Sequence, residues 1–265
     1  MKYFILGRED PLNYSEYGQY TELGWESHVF NFELRRMLIQ KEITRNSVTI
    51  VTVKDRMFLY ETLFTNVISY DDFLSLNVNS NDIIQFGDLG ISVNPNDEVY
   101  RIYLENKKIM CDFKHYDIEE PNNFWVLHIR FHKFANNRNH PEEFYKTIIE
   151  EVKKKYNFKC FIFGAGAKHF ENKEENIIHV NLKEYCTLMS KDNCKFIIGP
   201  MSGGTLVCQY AANPKSFIYV ITPGASYGNG TLFHDHKYNF TGTKTQYIHN
   251  LSVENIINNL NKDVV

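Results

Sequence analysis

Apolar and polar positions along the chain fall into two successive sets of strand and helix signals. The first set opens with a strand at 3–6, followed by a long polar and aromatic loop. Phe30, Leu34, Met37 and Leu38 then recur at helical spacing within 27–40. Strand-like runs follow at 47–53, 66–69 and 82–86, and the stretch 94–120 is less regular, ending in the acidic, Pro-containing "DIEEPNN". That stretch reads as a domain boundary, which gives an N-terminal domain over 1–120.

The second set is sharper. "FWVLHIRF" (124–131) is an unbroken apolar run rich in aromatic and β-branched residues, the pattern of a strand buried on both faces. Asn139-His140-Pro141-Glu142-Glu143 reads as a helix start with an Asn cap, an early Pro and acidic first-turn residues, and the helix runs to about Tyr156. Then come the strand "KCFIFG", a weaker strand "IIHVNL", the helix "KEYCTLMSKDN", the strand "KFIIG", a helix after Ser202 and the strand "SFIYVIT". Strands alternating with helices of this length predict an α/β fold of parallel βαβ units, in a second domain over 121–250. A last helix near 253–260, within 251–265, has no strand after it and is a candidate to pack back on the first domain.

Ligands of open parallel sheets sit at the carboxyl ends of the strands, so the residues there are the candidates for chemistry. The first strand of the second set ends in His128 and Arg130, with Arg138 in the following loop; the second ends in "GAGAKH", with Gly164, Gly166 and Lys168. The fourth ends in Pro200-Met201-Ser202-Gly203-Gly204-Thr205, and the fifth in "TPGASYGNG". Glycine-bearing turns beside a strand-borne arginine suit a diphosphate held by backbone N–H groups and guanidinium. The Ser-Gly-Gly turn has two readings: exposed N–H groups for an anion, or a tight strand-to-helix turn capped by Ser202. Arg130 is either one half of a surface salt bridge or a ligand contact, and its apolar flanks favour the contact. "GAG" lacks the full dinucleotide fingerprint and reads first as a strand-ending turn.

Composition narrows the picture. The 265 residues carry 29 basic and 32 acidic side chains, a net charge of -3, which gives no electrostatic footprint for nucleic acid. No stretch approaches the roughly 20 apolar residues that span a bilayer, and "MKYFILGRED" is too short in apolar length for a signal peptide. The five cysteines are odd in number and none are spaced C-x-x-C, so neither a disulfide framework nor a zinc site is expected; Cys160 and Cys208 read as core residues, and a reducing cytoplasm is the expected setting.

The segment "LKEYCTLMSKDNCKFIIGPMSGGTLVCQYAANPKSFIYVITP" resembles the donor-binding half of GT-B glycosyltransferases, particularly the lipopolysaccharide heptosyltransferase type. "HIR" at 128–130 is similar to the His-x-Arg strand end of fucosyltransferases of the same two-domain fold. Met201 stands where the heptosyltransferases carry an acidic or amide residue, and Phe131 follows Arg130 where the fucosyltransferase motif has a second arginine. The resemblance implies two Rossmann-like domains with parallel sheets facing a cleft, and transfer of a hexosyl or deoxyhexosyl unit from a nucleotide-diphosphate sugar, a GDP- or UDP-sugar, to a glycan acceptor. His128, Arg130, Arg138, Gly164, Gly166, Lys168, Ser202, Gly203, Gly204 and Thr205 would then hold the donor.

The same resemblance implies a metal-independent, inverting mechanism without a further cofactor, and no Asp-x-Asp occurs in the chain. "HDH" at 234–236 reads as polar surface rather than as metal ligands. A carboxylate or histidine of the first domain would deprotonate the acceptor hydroxyl; Asp10, Asp88 and Glu16 are the candidates. The aromatic loop "NYSEYGQYTELGW" is a candidate acceptor surface. A nucleotide-sugar epimerase of the same fold needs acidic residues beside the donor sugar, and the turns named have none. A non-catalytic nucleotide- or glycan-binding module is the rival from another class.

Overall fold

The computed structural model describes residues 1–7, 23, 26, 30–85, 89, 97–131, 139–164, 167–170, 177–221, 240–248 and 252–263. The chain divides into two compact units, Met1–His115 and Tyr116–Val265.

In unit 1 the strands β1 (Lys2–Ile5), β2 (Val48–Thr52), β3 (Asn66–Ser69) and β4 (Ile83–Gln85) form one parallel sheet in the order β3-β2-β1-β4. Its α-helices among the described residues are α1 (Asn31–Ile39), α2 (Tyr70–Leu74), α3 (Asp97–Glu105) and α4 (Lys107–Met110). The last two occupy much of the stretch read from sequence as irregular. Helix α3 buries Tyr103 and half-buries Val99, Tyr100 and Ile102, an amphipathic pattern confined to nine residues that the sequence reading passed over. Arg35 of α1 is fully buried and ties these pieces together. Its Nε donates to Asn31 Oδ1 (2.8 Å), and its guanidinium donates to the carbonyl oxygens of Leu59 (2.9 Å), Asp112 (2.6 Å) and Ile109. A buried guanidinium needs such acceptors, and the fixed fork of donors places three chain segments at once.

Unit 2 holds β5 (Phe124–His128), α5 (Glu142–Tyr156), β6 (Lys159–Phe163), β7 (Ile177–His179), α6 (Leu182–Met189), β8 (Cys194–Pro200), α7 (Gly203–Leu206), α8 (Cys208–Ala211), β9 (Phe217–Ile221), β10 (Lys244–Ile248) and α9 (Val253–Asp263). The parallel sheet has the order β10-β9-β8-β5-β6-β7. Counted within the unit this is the order 3-2-1-4-5-6 of doubly wound nucleotide-binding sheets. Strand β5 is central and all five of its residues are buried, as its unbroken apolar run requires. Trp125, Tyr145, Phe196 and Tyr219 lie in the core around it; complete burial of such a side chain is worth roughly 1.5–3 kcal/mol.

Three features of this unit go beyond the sequence reading. The edge strand β10 was not foreseen, because "KTQYI" alternates between exposed and half-buried positions and carries no apolar run. The closing helix α9, a candidate from sequence to pack back on the first domain, places its Ile256 and Leu260 in the unit-2 core with Ile148, Ile149 and Val152 of α5. The helix after Ser202 is two four-residue helices, α7 and α8, that meet at Val207. Cys160, Cys186, Cys194 and Cys208 are buried in the core, and burial raises the thiol pKa of Cys186, Cys194 and Cys208, the last to about 12, which keeps those three protonated.

Candidate active site

In unit 2 the chain moves from β5 to β6 and β7 on one side, then returns to lay β8, β9 and β10 on the other. The connections leaving β5 and β8 therefore diverge, and the carboxyl ends of these two strands are where doubly wound sheets bind their ligands. His128 ends β5, Arg130 lies two residues on, and the Ser202–Thr205 turn follows β8. The topology gathers these sequence-distant candidates at one point of the sheet.

His128 is buried at 5% exposure, and its ring is enclosed on several sides. It stacks on Phe163 of β6 (centroids 5.5 Å apart, 26° between planes), which stacks in turn on Tyr185 of α6 (4.5 Å, 24°). Backbone without side chains covers other parts of the ring. A Cβ on Gly204 would stand 2.5 Å from Nε2, one on Gly199 would stand 3.0 Å from the His128 Cβ, and one on Gly164 would stand 2.8 Å from Cδ2. Gly164 also has φ +118°, which side-chain-bearing residues rarely adopt.

The hydrogen bonds fix the tautomer. Thr205 Oγ1 donates its single proton to the carbonyl oxygen of Pro200 (2.5 Å), so at 2.9 Å from His128 Nδ1 it accepts. Nδ1 carries the proton and Nε2 the lone pair. Ser202 Oγ, 3.3 Å from the same Nδ1, is a longer second acceptor. Burial takes the imidazole pKa down to about 3, with the nearby Arg130 charge adding to the effect, so the ring is neutral at physiological pH.

Ser202 makes no side-chain capping bond to α7; its extended backbone (φ -157°, ψ 170°) aims the hydroxyl at His128 instead. The expected Asn139 cap is also absent. Pro141 occupies the N-cap of α5 without a side-chain bond, and Asn139 Oδ1 accepts from Arg130 Nη1 at 2.5 Å. Arg130 is 8% exposed. Next to Asn139 in the chain, His140 is 3% exposed with a buried Nε2 that has no hydrogen-bond partner among the described residues, and burial takes its pKa down to about 4.

Of the other sequence candidates, Lys168 lies in the short 3-10 turn Ala167–Phe170 that follows Gly164. Gly166, Arg138, the "TPGASYGNG" turn, "HDH" and the candidate bases Asp10, Glu16 and Asp88 lie outside the described residues. Among the described residues no group of three or more His, Cys, Asp and Glu has the arrangement of a metal site.

One carboxylate at the first sheet's strand ends escaped the sequence reading. Glu26 is fully buried and accepts from Arg56 Nη1 (2.6 Å), Tyr60 Oη (3.1 Å) and Thr52 Oγ1 at the end of β2. Gly7, just past β1, has no room for a Cβ because Glu26 Oε2 would lie 2.5 Å from it. No sequence signal marks Glu26, since its donors come from 26 to 34 residues downstream.

No protein-family model matches the chain, and no curated protein matches it. Among solved structures, E. coli ADP-heptose LPS heptosyltransferase II is similar at a TM-score of 0.56 and 11% identity, over 100% of this chain and 98% of that one. E. coli heptosyltransferase WaaC with ADP is similar at 0.51 and 9% identity, over 99% and 100%. The dodecameric iron-containing heptosyltransferase TibC in complex with ADP-D-beta-D-heptose, from enterotoxigenic E. coli, is similar at 0.51 and 12% identity, over 100% and 77%. At these identities the likeness is one of fold: the chain has two parallel α/β units of the GT-B kind.

Proposed function

We propose that the protein is a glycosyltransferase that takes a sugar from a nucleotide-diphosphate donor bound in unit 2 and passes it to a glycan acceptor handled by unit 1. The observation that carries this reading is the adjacency of β5, which leads into Arg130, and β8, which leads into the Ser202–Thr205 turn, at the switch point of a doubly wound sheet. Two of the solved structures of this fold hold ADP or an ADP-sugar, so an adenine donor joins the GDP- and UDP-sugars suggested by the sequence.

In this mechanism a base takes the proton of the acceptor hydroxyl, and the oxygen attacks the anomeric carbon from the face opposite the phosphate. The bond from the anomeric carbon to the β-phosphate oxygen breaks, and the nucleoside diphosphate leaves with the electron pair. Arg130, already desolvated, stabilises the negative charge that develops on the leaving group. Asp10, Asp88 and Glu16 are the proposed bases, to be separated by single substitution to the amide. The guanidinium supplies the counter-charge itself, so EDTA is expected to leave the rate unchanged.

The test is a thermal-shift panel of ADP, GDP, UDP, CMP and dTDP with their sugars, followed by transfer assays with the donor that binds. A ligand at 100 times its Kd stabilises the native state by about 2.7 kcal/mol. A panel in which no nucleotide raises Tm would end this reading.

A further inference from the structure

The Ser202–Thr205 turn is poorly suited to hold its own shape. It contains two adjacent glycines, each of which loses more backbone entropy on ordering than alanine by roughly 0.5–1 kcal/mol. It opens a helix of only four residues, far below the length at which a helix sustains itself, and Ser202 does not cap it. Order has to be imposed from outside. His128 is placed to do that: its Nδ1–H reaches Thr205 Oγ1, which passes its own proton to the Pro200 carbonyl, so strand end, turn and helix form one chain of hydrogen bonds. The opposite side of the ring fits against Gly204, Gly164 backs it from the end of β6, and the ring rests on Phe163.

We infer that His128, which the sequence presents as a donor ligand, is a positioning residue: a neutral latch that holds the Ser202–Thr205 turn in register with β5 and β6 without touching the donor. That the latched turn serves nucleotide binding rests on the function proposed above; the latch itself does not. Its ring is almost wholly covered, and its one ring N–H is already spent on Thr205, so it has no proton to offer a phosphate.

Two substitutions separate the hydrogen bond from the ring. His128→Phe keeps an aromatic ring among the glycines and removes the donor. His128→Asn removes the ring and keeps an N–H near the position of Nδ1. Amide exchange over 201–206 is followed without ligand, and ADP, or whichever nucleoside diphosphate binds best, is titrated by calorimetry. In His128→Phe we expect faster exchange in 201–206, unchanged protection in β5 and β6, and diphosphate affinity reduced by up to about tenfold, the upper range for one neutral hydrogen bond. His128→Asn should recover both.

Wild-type exchange and affinity in His128→Phe would overturn the latch. So would lost affinity with unchanged exchange, which would mean that the imidazole contacts the donor, or an Asn variant no better than the Phe one. If His128→Phe does not fold, Thr205→Val against Thr205→Ser applies the same test from the other end: Val should loosen the turn and Ser should not. If the wild-type protein binds no nucleoside diphosphate, the proposed function falls, and the exchange measurement still decides the latch.

Discussion

Gly204 and His128 exclude a side chain from the space between them: a Cβ on Gly204 would lie 2.5 Å from Nε2 and 2.6 Å from Cε1 of the imidazole. The glycine is required by a neighbour 76 positions away in the fold's own core, whatever ligand the turn receives.

Gly204→Ala is therefore expected to destabilise by about 1–3 kcal/mol, the usual cost of forcing extra volume into a packed site. In a His128→Ala background the same change should cost nothing or stabilise slightly, because alanine suits a helix better than glycine. Urea denaturation of the four proteins in a double-mutant cycle measures the coupling. Gly203→Ala is the control. This half-buried residue at the first position of α7 should change stability little.

Arg130→Ala should weaken nucleoside diphosphate binding by about 1.5–3 kcal/mol, the range for a hydrogen bond to a charged group. The lost bond to Asn139, made by the same charged guanidinium, adds about 1.5–3 kcal/mol of instability, less than the roughly 5–15 kcal/mol that holds a domain folded. Calorimetric titration with the free nucleoside as control reads the effect, since the nucleoside has no phosphates and should bind as before. Equal affinity for the diphosphate in a folded variant would remove Arg130 from the site.

The buried histidines predict how stability varies with acidity. His128 and His140 have folded pKa values near 3 and 4, below the unfolded value of about 6.5. Between these limits the unfolded chain binds protons that the folded chain does not, so stability falls as pH drops below about 6.5. Each histidine contributes a slope of up to about 1.4 kcal/mol per pH unit. Urea midpoints from pH 7 to 4.5 should decline, and His128→Phe should remove about half of the histidine share of that decline.

Glu26→Ala should cost unit 1 roughly 3 kcal/mol, the low end for breaking a buried ion pair, because Arg56 keeps 14% of its side chain exposed. Replacing Arg56 with methionine in the same chain should restore part of the loss, since the charge that Glu26 paired with is then gone. Thermal unfolding of the single and double variants distinguishes this from a role in catalysis: a base would abolish transfer with little change in Tm.

What the sequence determined by itself is the part of the structure written in local periodicity. The apolar run of β5, the alternation of strands and helices after it, and the arrival of His128, Arg130 and Ser202–Thr205 at strand ends all follow from which residues repel water and how they are spaced. The edge strand β10 was illegible for the same reason, since a strand that is mostly exposed or half-exposed carries a weak pattern. Only the tertiary structure decided the partners. Asn139 reads locally as a helix cap and serves Arg130; Ser202 reads as a cap and faces His128; Gly204 reads as an opening for a ligand and makes room for an imidazole. The His128–Thr205 bond joins residues 77 positions apart. Local sequence records what each residue can bond to, and only strand order, which puts β5 beside β8, decides which group is within reach.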